Sequence, residues 1–106
     1  MTMKVRLLLE VYAPNKCDFE KDVELDFLPT EGLSFHLVDI PNWGGDPMGG
    51  TVDNVQIFMN EEPYFAFVTF RSEDLSHSIK NDEEWNIFAN AFVADGWHAS
   101  TWNRPE

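Results

Sequence analysis

Four carboxylates at alternate positions, Glu20, Asp22, Glu24 and Asp26, form the most distinctive chemistry-bearing spacing in the chain. On a β-strand such residues share one face about 6.7 Å apart, a ladder of negative charge suited to the basic surface of a partner. Ordinary solvation is the simpler explanation of the row. Antiparallel pairing with the stretch holding Lys4 and Arg6 would set pairs such as Arg6–Glu24 across the strands, each contributing about 0.2–1 kcal/mol. Mimicry of a nucleic-acid backbone fits less closely, because one DNA strand carries a charge every ~3.4 Å, twice the density of this row.

The other reactive residue types do not assemble into a known chemistry. Cys17 is the single cysteine, so neither an intrachain disulfide nor a cysteine-based zinc pattern is available, and neighbouring Asp18 disfavours its thiolate. His36, His77 and His98 are scattered, with no HExxH and no pair at helical i, i+4 spacing. The segment from Pro41 to Gly50 holds four of the six glycines and two of the six prolines, which argues against any regular element there. It is not a phosphate-binding loop, since no lysine follows the glycines and Asp46 would repel a phosphate. Two readings stay open for it: a surface Ω-loop, or a recognition loop with Trp43 and Met48 as apolar anchors.

The elements that must position these residues alternate with a period of two in the first half. Val5, Leu7, Leu9 and Val11 share one face of a first strand. Phe19, Val23, Leu25 and Phe27 face inward on a second, opposite the acidic row, and Leu33, Phe35 and Leu37 begin a third. Val55, Ile57 and Met59 predict a fourth strand, and Tyr64 to Phe70 a fifth after a short connection ending at Pro63. On that fifth strand Phe65 and Phe67 are expected on one face. Tyr64, Ala66, Val68 and Phe70 are expected on the other, with Phe58 beside them. The Phe58, Tyr64, Val68 and Phe70 face is either covered by a loop or tail, or is an apolar patch for a partner or a second copy.

One helix is predicted near the end. Asn81 caps it, Glu84 completes a capping box, and Asp82, Glu83 and Glu84 suit the positive end of its dipole. Trp85, Phe88, Ala89 and Phe92 form its inward stripe, and Gly96 ends it in a left-handed conformation. The expected fold is α+β: an antiparallel meander of about five strands with one C-terminal helix packed on one face, as a single domain over residues 1–106.

Nineteen acids against seven bases leave a net charge of −12, spread evenly along the chain, which argues against direct binding to nucleic acid or to an anionic membrane. Lys4 and Arg6 ahead of Leu7-Leu8-Leu9 resemble the start of a secretory leader, but Glu10 ends the apolar run and no small-residue cleavage site follows. A soluble cytoplasmic protein is therefore expected. Its expected role is a non-catalytic protein-interaction module whose partner is another protein, basic in character, or a second copy. The alternatives are an acidic inhibitor or immunity-type protein blocking a basic partner, and a small enzyme with a site near the glycine-rich segment. No cofactor is expected. Because metal-ligand spacing is absent, the purified chain should hold no stoichiometric transition metal, and elemental analysis finding one zinc per chain would overturn that expectation.

Overall fold

A computed structural model describes residues 2–12, 16–40, 47–59, 63–75 and 77–100. The elements run β1 (Met3–Tyr12), β2 (Lys16–Leu25), β3 (Ser34–Asp39), β4 (Pro47–Ile57), β5 (Ala66–Phe70), β6 (Glu73–Asp74), α1 (Asp82–Ala94) and β7 (His98–Ala99). The fold is α+β, but the sheet is mixed and has seven strands in the order β3-β4-β5-β1-β2-β7, with β6 pairing with β1 beyond β5. The five-stranded antiparallel meander is thereby corrected: β1 is antiparallel to β2 but parallel to β5, with Val5 opposite Ala66 and Leu7 opposite Val68.

Side-chain chemistry explains the swap. A meander would have placed β3 beside β2, yet β2 is charged at almost every position from Glu20 to Glu24, a composition suited to the rim of a sheet. The Ala66-Phe67-Val68-Thr69-Phe70 segment of β5 suits an interior strand. Joining parallel strands requires a long crossover, and the β3–β4 hairpin lies within it.

Val5, Leu7, Leu9 and Val11 are buried, as their alternation predicts. They face Val52, Val68 and Phe70 from β4 and β5, and the aromatic stripe of α1. Phe19 is the hub between sheet and helix, with ring centroids 4.5 Å from Phe92, 5.9 Å from Phe88 and 6.2 Å from Trp85. Asn81 caps α1 by accepting from the Glu84 backbone N–H, while the Glu84 carboxylate accepts from the Lys80 N–H, one residue earlier than a standard capping box. At the other end Gly96 (φ 101°) donates to the Val93 carbonyl and Trp97 donates to that of Phe92, a Schellman motif sealed by the Phe92–Trp97 ring contact at 5.4 Å. The last turn of α1 has no basic residue of its own, and Lys21 of β2 supplies one, donating to the Asp95 carbonyl at 2.8 Å.

Several local expectations need correction. The fourth strand begins at Pro47, inside the glycine-rich segment, so Met48, Gly49 and Gly50 lie in β4 opposite β3. A Cβ on Gly50 would stand 2.9 Å from Leu37 Cδ1 and 3.0 Å from the Phe70 ring, so glycine there allows close strand packing. Leu33 precedes β3 and is exposed, and a bulge between His36 and Val38 shifts the register, leaving Val38 as the buried residue of that strand. Asp26 and Phe27 lie past the end of β2, and Phe27 is exposed. Met48 is only 6% exposed and is a core residue. Trp43, the other expected anchor, lies outside the described residues.

Two substitutions test this packing. Phe19→Ala should cost about 3–5 kcal/mol by opening a cavity between β2 and α1. Gly50→Ala should cost about 1–3 kcal/mol through overpacking against Leu37 and Phe70. Urea midpoints measure both, and an unchanged midpoint for Gly50→Ala would show that Leu37 and Phe70 give way freely.

Candidate interaction surface

With α1 on one side of the sheet, the opposite side of β1, β2 and β5 is left without a covering element among the described residues. Backbone register orders it in rows. Phe67, Arg6 and Asp22 stand side by side on β5, β1 and β2, followed by Thr69, Leu8 and Glu20, then Glu10 with Asp18, and Tyr12 with Lys16. Lys4 faces Glu24 at the near end.

The centre of this surface is Arg6. Its guanidinium donates from Nε to Asp22 Oδ1 at 2.9 Å and from Nη2 to Asp22 Oδ2 at 3.4 Å. Nη2 also donates to the Tyr64 hydroxyl, which in turn donates to Asp22 Oδ2 at 2.8 Å. The guanidinium carbon lies 4.5 Å from the Tyr64 ring centroid and 5.9 Å from that of Phe67, and Lys4 Nζ lies 5.0 Å from the Tyr64 centroid. The hydrogen bonds from Arg6 hold the Asp22 carboxyl below its ordinary pKa, and the same contact raises that of Arg6. The hydrogen bond to Asp22 pushes the Tyr64 phenol upward. At the far end the Tyr12 hydroxyl, and then Lys16, lower the pKa of Glu10. Glu20 stands 3.8 Å from Arg6, whereas Glu24 makes no ion pair among the described residues.

Two depressions flank Arg6. One, of about 280 Å³, is lined by Phe58, Pro63, Tyr64 and Phe67, with the Phe58 and Tyr64 rings both meeting Phe67 edge to face at 4.7 and 5.4 Å. The other, of about 260 Å³, has Leu8 and Thr69 beside Glu10, Asp18 and Glu20.

Glu20, Asp22 and Glu24 do share one face of β2, but Arg6 is opposite Asp22 rather than Glu24, and Asp26 falls outside the strand. The expected grouping of Phe58, Tyr64, Val68 and Phe70 separates: Val68 and Phe70 are 0% and 1% exposed in the core, while Phe58 and Tyr64 lie on the open side. Ala66, Val68 and Phe70 continue the core layer of β1 on the side of α1, so they are covered by the core rather than by a loop or tail, and Phe67 turns outward. Alternation alone could not choose between two faces that are both apolar. The signal missed was that Arg6, already expected opposite the β2 carboxylates, also suits aromatic neighbours on its other flank, which are Tyr64 and Phe67.

Among the described residues no three His, Cys, Asp or Glu side chains are grouped to hold a metal ion, and Cys17 is buried. No helix among them is long and apolar enough to cross a membrane. The chain matches no known family model, no curated protein and no solved structure. Its surface geometry therefore carries the functional argument.

The lowered Asp22 pKa sets a pH dependence. Its stabilising effect is present above the unfolded carboxylate value of about 3.9 and is lost as pH falls through the lower folded value. Asp22 is partly exposed, which limits the effect to about 1 kcal/mol or less. Asp22→Asn should lower the melting temperature at pH 7, and the gap from wild type should narrow steadily as pH falls below about 3.9. A gap that does not narrow below that pH would mean that the carboxylate charge is not what the network uses.

Proposed function

We propose that this chain is a non-catalytic protein-interaction module that offers the open side of β1, β2 and β5 to a basic protein partner. The observation supporting this most directly is the joining of two features on one sheet face that no described element covers. Glu20 and Glu24 supply most of the charge, since Arg6 pairs with Asp22 and Lys16 with Glu10 and Asp18, and the Phe58–Tyr64–Phe67 cleft supplies an apolar anchor. Exposed ion pairs are each worth about 0–1 kcal/mol, so the carboxylates act mainly on encounter rate and orientation, and the aromatic cleft on the lifetime of the complex. Blocking a basic groove is one form such an interaction takes. Imitation of a nucleic-acid strand is less favoured, because Arg6 neutralises Asp22 in the middle of the row. Self-association is opposed by a charge of −12 on each copy, and Val68 and Phe70 are buried away from any such contact.

The test is capture of partners from an extract of the source cells by wild type and by Glu20→Lys/Glu24→Lys. The screening length falls from ~10 Å at 0.1 M salt to ~3 Å at 1 M, so both salts are used. A basic protein held by wild type at low salt should be lost at high salt and lost by the variant, whose circular dichroism should match wild type. Capture that ignores both salt and reversal would remove the carboxylates from the function.

A further inference from the structure

The aromatic cleft carries more information about its occupant than the charge does. It lies on the face of the sheet rather than along an edge strand, so it offers no row of backbone donors and acceptors for an added strand. A peptide lying there must leave its own backbone hydrated or bonded internally. The cleft, at about 280 Å³, has room for one or two side chains, too little for the successive i, i+4 and i+7 anchors of a docked helix. A polyproline II segment meets both conditions, since its backbone is fully solvated and its proline rings pack on aromatic and proline side chains.

The existing contacts also limit what can enter. Arg6 and Lys4 already stack on the Tyr64 ring, and Tyr64 is held by Asp22 and Arg6. That leaves the cleft an apolar seat rather than a cage for a cationic side chain, and its main wall is ordered before binding. Just outside it, Asp22 is flanked by Glu20 and Glu24, each about 6.7 Å away along the strand. A residue two or three positions from a seated proline lies ~6–9 Å away in a polyproline II helix, within reach of those carboxylates.

We propose that the Phe58–Pro63–Tyr64–Phe67 cleft seats a proline of an extended segment that carries arginine or lysine two or three residues away, the basic side chain meeting Glu20 or Glu24. This rests on the interaction-module reading and specifies the chemistry of the partner.

The test pans the full chain against a displayed library of random dodecapeptides in about 0.1 M salt, followed by titration of the best binder as a fluorescein-labelled synthetic peptide. Enriched sequences should place proline within three positions of arginine or lysine. Alanine for that proline, or Phe58→Ala in the protein, should each weaken binding at least about tenfold, the scale of losing an anchor residue. Phe27→Ala, beside β3, should leave affinity unchanged. Basic peptides without proline that are lost with Glu20→Lys/Glu24→Lys but kept by Phe58→Ala would overturn the cleft assignment while leaving the acidic surface in place. Peptides insensitive to both variants would overturn both, and an unenriched library would overturn the cleft as a peptide seat. Phe67→Ala serves as a second cleft variant if its melting temperature stays within a few degrees of wild type.

Discussion

Strand β1 is paired along both sides, and the rest of the molecule follows from what that requires. Its inward residues, Val5, Leu7, Leu9 and Val11, need apolar cover, and its backbone groups need partners to either side. The β2 hairpin satisfies one side by simple proximity in sequence. The other side takes β5, whose Ala66, Val68 and Phe70 continue the buried layer of β1, with β6 pairing beyond it. Once β5 is there, β4 and β3 must lie beyond it, and α1 is left to cover Phe19 on the inward layer. The outward residues of the same strand, Lys4, Arg6 and Leu8, are then fixed between Phe67 and Thr69 on one flank and Asp22 and Glu20 on the other.

This makes the open face a product of the core. The aromatic cleft and the carboxylates come from segments more than thirty residues apart in the sequence, and they meet only because β1 lies between them. Arg6 joins the two halves, holding Asp22 by hydrogen bonds and Tyr64 by ring stacking and a hydrogen bond. Its guanidinium is suited to both at once in a way that a lysine would not be.

The legible parts of the sequence were those governed by local periodicity. The inward stripe of β1, the Asn81 cap, the Phe88–Phe92 stripe and the Gly96 stop follow from spacing and were read correctly. Strand order was not legible, because it depends on a comparison between distant segments, β2 against β5, that no local pattern expresses. The facing of β5 stayed open for a related reason: with Phe67 on one side and Val68 and Phe70 on the other, hydrophobicity does not choose. Glycine density misled at Gly49 and Gly50, where the residue serves close strand packing instead of a turn. Of the candidate surface, the β2 carboxylates were visible as a row, whereas their junction with Tyr64 required the tertiary pairing.

The parallel pairing of β1 with β5 also has a consequence in time. Val5 and Ala66 are neighbours in space, yet some sixty residues of chain separate them. At synthesis rates of ~5–20 residues per second, that interval lasts roughly 3–12 s. Through it, the nascent β1–β2 hairpin has one unpaired side and an apolar stripe with no cover. Such an edge invites pairing with any other exposed strand. Lys4, Arg6 and Glu10 on that open strand are present from the moment the hairpin emerges, and charged side chains of this kind blunt an edge against pairing with another copy. The surface that we assign to recognition in the finished molecule thus also guards the unfinished one.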